Sequence, residues 1–208
     1  MKSASLVQYT PGSAGLPDKL AEVARHFDTL WGTAISYVAE HTFLQADAEG
    51  NLTVLEHDES GFSEEDRRRL RVTSEMLLGE MVNRIRPISI TSPSPNAVIN
   101  PRAFLATVEG GVYLFGLIAA GKQDLLIRLQ QKIADVIRSP GNVDFGTYRG
   151  VKTQVRDMSS EGPLRFVDGE IVEAFLGMDE KTQVSVCEGL DVEVEETREM
   201  VESLRRLR

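Results

Sequence analysis

The chain has 208 residues, 41% of them hydrophobic and 26% charged, a balance that supports a folded core and excludes a disordered chain. Lys and Arg number 23 against 32 Asp and Glu, a net charge of −9, so a general electrostatic grip on nucleic acid or on an anionic membrane is not expected. The single cysteine, Cys187, excludes an internal disulfide framework and a Cys-rich zinc site, and no apolar run approaches the roughly 20 residues of a membrane span. The N-terminus lacks the apolar block of a secretory signal. A soluble protein of a reducing compartment, nucleus or cytosol, is the expectation.

In chain order, Ser5 to Tyr9 is strand-like and ends at Thr10-Pro11-Gly12-Ser13. A helical segment is expected from about Pro17 to His26, with Pro17 suited to a first helical turn. Three short stretches rich in β-branched or aromatic residues follow: Ala34–Val38, Thr42–Asp47 and Leu52–Glu56. Between the second and third, Ala48-Glu49-Gly50-Asn51 offers a glycine for the positive φ of a tight hairpin. Ser63-Glu64-Glu65-Asp66, followed by Arg67, Arg68 and Arg69, predicts a capped helix with acids first and bases later. A nucleic-acid patch is its functional reading; a solvated surface helix, in which acids offset the arginines, is preferred. After a breaker-rich loop, Thr91–Asn96, the stretches Ala103–Val108 and Val112–Leu117 flank Glu109-Gly110-Gly111 and predict a second hairpin.

The last third is helical in pattern. Leu125, Leu126, Leu129, Ile133, Val136 and Ile137 fall on one stripe, with Arg128, Gln130, Gln131, Lys132 and Asp135 on the rest of the surface, and Ser139-Pro140-Gly141 ends the helix. Ile171, Val172, Phe175 and Leu176 form the next stripe, with Asp168 placed as an N-cap and Gly177 as the stop. From Asp191 to Arg208, Val194, Val201, Leu204 and Leu207 share roughly one face. Strands first and helices afterwards predict separate layers: short antiparallel strands over 1–120, with propeller blades among the options, then a helical part over 121–208.

No catalytic constellation stands out, and no enzyme, metal or cofactor is expected. An Asp168/Glu170/Glu173 cluster is better explained by capping and solvent exposure. His26, His41 and His57 lack ligand spacing and are assigned to a surface or packed edge. Asp47-Ala48-Glu49-Gly50-Asn51 has its glycine in the fourth rather than the sixth position of a calcium loop, so a hairpin turn is preferred. Cys187 has no histidine C-terminal to it and is expected to be a partly buried structural thiol.

Phe166-Val167-Asp168-Gly169-Glu170-Ile171 resembles the Phe-Ile-Asp-Gly-Asp-Leu segment near the C-terminus of the large UV-damaged-DNA-binding subunit family. That family is related to the largest cleavage-and-polyadenylation-specificity subunit and a large splicing factor 3b subunit. Met1-Lys2-Ser3 through Pro11 is similar to the family's Asp-Leu-Met-x-Ser strand. Ala24-Arg25-His26-Phe27-Asp28-Thr29-Leu30-Trp31 resembles an Ala-Arg-Asp-Phe-x-x-x-Trp stretch, and Leu78-Gly79-Glu80-Met81-Val82-Asn83 a Leu-Gly-Glu-Phe-Val-Asn segment. Phe43–Ala46 with Asn51-Leu52, the helix at Leu125–Ile137 and the closing helix also match in place.

The resemblance implies the tail of a much longer protein: the last strands of a third β-propeller followed by a small helical domain, with the first two propellers absent. An incomplete propeller leaves strand edges to pair with another chain. The family's activity implies an adaptor of cullin–RING ubiquitin ligases that grips a helical segment of substrate receptors, with an RNA-processing scaffold as the alternative. Expected partners are those receptors and the missing propellers, with nucleic acid only indirect and no membrane, in the nucleus and also the cytoplasm. Arg25 and Trp31 match receptor-facing positions, and both residue types dominate interface hot spots. The competing readings are a core position for Trp31 and a solvated surface position for Arg25.

Overall fold

Among the described residues, strand follows strand between Ser5 and Ile118, interrupted by one helical turn, and helices lie between Gln123 and Arg205. The structure, a computed structural model, describes residues 3–13, 15–89, 97–153 and 162–207. The breaker-rich loop Thr91–Asn96 and Arg208 lie outside the described residues. The strands form three antiparallel sheets. β1 (Ser5–Thr10) pairs with β2 (Lys19–Arg25). β3 (Gly32–Ala39), β4 (Thr42–Asp47), β5 (Asn51–His57) and β6 (Leu70–Leu77) form a four-stranded meander. β7 (Val82–Pro87), β8 (Ile99–Thr107) and β9 (Val112–Ile118) form a three-stranded one. Antiparallel blades followed by helices are the expected fold class, and the structure has it.

Side-chain alternation explains the layering. On β5, Leu52 and Val54 point to one face and Leu55 to the other, and all three are buried. The first face joins Leu44, Ala46 and Met76 to Val82, Ile85, Ala103, Leu105 and Phe115 of the three-stranded sheet. The second meets Ala24 and Leu70 beneath the β1–β2 hairpin. The four-stranded sheet is therefore a middle layer, covered on both faces.

The helices build a separate apolar cluster. α1 is the single turn Glu64–Arg67, closed by a capping box between Ser63 and Asp66. α2 (Gln123–Val136), α3 (Phe145–Arg149), α4 (Gly169–Glu173), α5 (Glu180–Cys187) and α6 (Val194–Arg205) follow, with a 3-10 turn at Ala174–Gly177. Leu126, Leu129, Ile133, Val172, Phe175 and Val201 are fully buried at their centre. Among the described residues no helix is long and apolar enough to cross a membrane.

Four expectations are corrected. Pro17–His26 is not helical: Lys19–Arg25 is a strand, because β1 offers a six-pair ladder and Ala24 a buried position, against which a helix of ten residues is marginal by itself. The charged helix stops after one turn, and from Leu70 the chain pairs with β5. Gln130 is buried within the helical layer, where its amide accepts from Asp168 N (2.6 Å) and donates to Phe166 O (3.1 Å). Val136, assigned to the apolar stripe, is exposed.

Candidate partner-binding surface

Arg25 closes β2. Its backbone N–H donates to Arg68 O (2.8 Å), which fixes it beside α1, and its half-exposed guanidinium binds Glu22 through Nε (3.2 Å) and NH2 (2.7 Å). The Glu22 carboxyl is held below its ordinary range, chiefly by these bonds. The chain then passes buried His26 and exposed Phe27, over whose ring the Arg69 guanidinium lies at 5.5 Å. Trp31 enters β3 with its carbonyl accepting from Ala48 N (2.9 Å), and its indole is 72% exposed. It is not a core residue within these 208. Immediately after it, a bulge at Thr33 locks the strand to β7, the Thr33 hydroxyl donating to Val82 O (2.6 Å).

Strand pairing shows that Arg25 and Trp31 do not meet. Arg25 sits where β6 begins, at the Leu70–His57 end of the sheet, and Trp31 sits beside the β4–β5 turn, at the Asn51–Leu77 end. Strands of this length separate the two ends by roughly 20 Å. Phe27, beside Arg69 at the Arg25 end, adds exposed aromatic surface that sequence patterning did not single out.

Asp168 and Asp47, two of the acidic positions considered for chemistry, are spent on structure. Asp168 caps α4, accepting from Glu170 N (2.9 Å), and its other oxygen accepts from Arg149 Nε (2.6 Å); both side chains are buried. Arg149 also donates to Leu77 O (3.3 Å) and Leu78 O (2.8 Å), tying the helical layer to β6. Arg149 was not anticipated, since its partners lie far away in sequence. Asp47 accepts from Glu49 N, Asn51 N and the Asn51 amide, so its carboxylate holds the hairpin turn. The Asn51 side chain in turn donates to Lys152 O (2.6 Å) and accepts from Lys152 N (3.0 Å). Cys187 is buried with its thiol 3.6 Å from Thr197 Oγ1, as expected of a structural thiol. Glu80 accepts from the Thr107 hydroxyl and from Tyr113 (2.7 Å each), which lowers its own titration. Tyr113 is pushed up to about 12, first by burial and then by that bond. His26 and His57 are buried and His41 is exposed; His41 and His57 come together, although their spacing gave no sign of it.

Residues 1–177 match the family model described as the CPSF A subunit region. The chain belongs to that family. Over its whole length it is also similar to DNA damage-binding protein 1 of Schizosaccharomyces pombe (28% identical over 213 residues). The same holds for DNA damage-binding protein 1b of Arabidopsis thaliana (29% over 212) and DNA damage-binding protein 1 of Drosophila melanogaster (26% over 219). All of this chain is covered in each case, yet it spans only 19% of the length of these relatives. The resemblance drawn from the motifs is thus borne out for the CPSF A family. The relatives' names speak of binding damaged DNA, and the family's description speaks of a subunit.

Proposed function

We propose that the chain is the C-terminal part of a non-enzymatic adaptor of cullin–RING ubiquitin ligases, which grips a helical segment of substrate receptors. Trp31 is the anchor, Arg25 a second contact, and 1–120 and 121–208 are the propeller strands and the helical domain. The observation that carries this reading is the 72% exposure of the Trp31 indole on a chain similar throughout to damage-binding proteins. A large apolar side chain held in water by a bulged, hydrogen-bonded strand is preorganised for a partner. A helix of about 13 residues covers roughly 20 Å, enough to span the sheet from its Trp31 end to its Arg25 end. The net charge of −9 supports delegating nucleic-acid contact to partners, in a nuclear and also cytoplasmic protein.

A second reading, an RNA-processing scaffold, is favoured by the family's own description as the CPSF A subunit region. Affinity capture of the full-length protein from nuclear extract, with mass spectrometry, separates the two. Ligase receptors should be recovered and depleted by Trp31→Ala, a hot-spot loss of about 2 kcal/mol being roughly thirtyfold in affinity. Recovery of RNA-processing subunits instead would select the second reading. Receptors bound equally by wild type and Trp31→Ala would remove Trp31 from the interface.

A further inference from the structure

The antiparallel register of β4 and β5 pairs Thr42 with Glu56, which brings the residues just beyond, His41 and His57, side by side. His57 N donates to His41 O (2.9 Å). His41 occupies the β3–β4 turn with φ +56, a left-handed conformation unfavourable for most side chains but more often taken by histidine. Glu59, two residues past β5, completes a group whose ligand atoms all lie within 4.8 Å of one another.

The His57 ring is 3% exposed. Its Nε2 is 2.8 Å from Arg67 O, and a carbonyl can only accept, so that nitrogen carries the proton and Nδ1 of the neutral ring presents a lone pair. Nδ1 is buried without a hydrogen-bond partner and faces Glu59 Oε1 across 3.8 Å. Two acceptors confront each other across a gap too wide for a hydrogen bond. Glu59 Oε1 also lies 3.5 Å from His41 Nδ1, while His41 Nε2 turns toward Glu40 Oε1 at 3.7 Å.

We propose that His41 Nδ1, His57 Nδ1 and a Glu59 carboxylate oxygen form a binding site for a divalent transition metal of the zinc class. Four tetrahedral ligands about 2.1 Å from zinc stand roughly 3.4 Å apart, close to the 3.5 and 3.8 Å separations that Glu59 already makes. Two imidazoles and one carboxylate leave a fourth position for water, and both His41 and Glu59 open to solvent. The outer partners also suit a metal: Arg67 O fixes the His57 tautomer and the Glu40 carboxylate stands behind the His41 ring. Neighbouring Asp58 is engaged by Ser60 and Arg71 and is not a ligand. The metal would clip the β3–β4 turn to the segment that follows β5.

Isothermal titration of chelator-stripped protein with zinc chloride should show one saturable site per chain, and cobalt(II) at that site should give visible ligand-field bands. His57→Ala removes a buried ring and can perturb folding, so the deciding variants are the exposed His41→Asn and Glu59→Gln. Each should weaken zinc binding by roughly tenfold or more, the loss that even outer-sphere partners cause, and should abolish the cobalt bands. Absence of saturable uptake by the wild type, or uptake that neither variant weakens, would overturn the proposal.

Discussion

Two seams hold the layers together, one mainly apolar and the other carrying a set of buried polar links. Between the four- and three-stranded sheets, Leu44, Leu52, Val54, Ile85, Leu105 and Phe115 meet as apolar groups, with the Thr33–Val82 hydrogen bond at the edge. Between the strands and the helices, Arg149 donates to Leu77 O and Leu78 O and Asn51 bonds the Lys152 backbone, with Arg149 itself held by its buried ion pair to Asp168. An apolar seam is non-directional and loses stability in proportion to the volume removed. A polar seam is nearly all-or-none, because each deleted partner leaves a buried group without water or protein to satisfy it. The first seam fixes how closely the sheets approach. The second fixes where the helices sit, since its bonds need particular atoms in particular places.

The largest effect expected at either seam is from Asp168→Ala, which leaves the buried Arg149 guanidinium without its counter-charge and uncaps α4. Removing one member of a buried ion pair costs about 3–5 kcal/mol, readable as a shifted urea midpoint. A loss below about 1 kcal/mol would erase the contrast between the seams. Leu105→Ala in the apolar seam is expected to cost about 2–5 kcal/mol, with the spread set by how far Phe115 and Ile85 close the cavity. Its loss should be independent of pH.

A smaller effect should appear in mild acid. His26 titrates below its ordinary 6.5, chiefly because burial disfavours the charged ring, with the nearby Asp28 carboxylate opposing. The unfolded chain then binds the proton first. Its contribution is complete above about 6.5 and declines as pH falls from there toward the folded-state value. Glu80 behaves alike lower down: its lowered carboxyl contributes above about 4.5, and that contribution is lost as pH falls through the folded-state value. Chemical denaturation across pH 7.5 to about 4 should show both declines. His26→Gln should flatten the upper one, and an unchanged profile in that variant would assign the decline elsewhere.

How much was legible in the sequence follows from what kind of force builds each element. β4 was read to its ends, Thr42–Asp47, because a short run holding Thr42, Phe43 and Leu44 abuts a turn whose Gly50 has φ +83. β2 was misread because Lys, Leu, Ala, Glu and Arg are good helix formers; only the ladder with β1 makes them a strand. β6 left no pattern, since Thr73-Ser74-Glu75 at its centre are polar and backbone pairing with β5 and Leu164 holds them. Asp168 was legible as a cap, which is a local property. Its pairing with Arg149 is 19 residues distant and was not. The Arg25 and Trp31 positions came from motif likeness, whereas their placement at opposite sheet ends needed the register. The same register brings His41 and His57 together across a spacing that reads as noise.

The Asn51–Lys152 bonds join residues 101 positions apart, which has a consequence for synthesis. At about 5–20 residues per second, the β4–β5 turn is synthesised roughly 5–20 s before Lys152. The turn itself can close at once, because Asp47 supplies three of its bonds locally. The far side of the Asn51 amide stays in water until the later segment arrives, as do the Leu77 and Leu78 carbonyls that await Arg149. The middle sheet is therefore born with a wet margin, and the last third of the chain dries it.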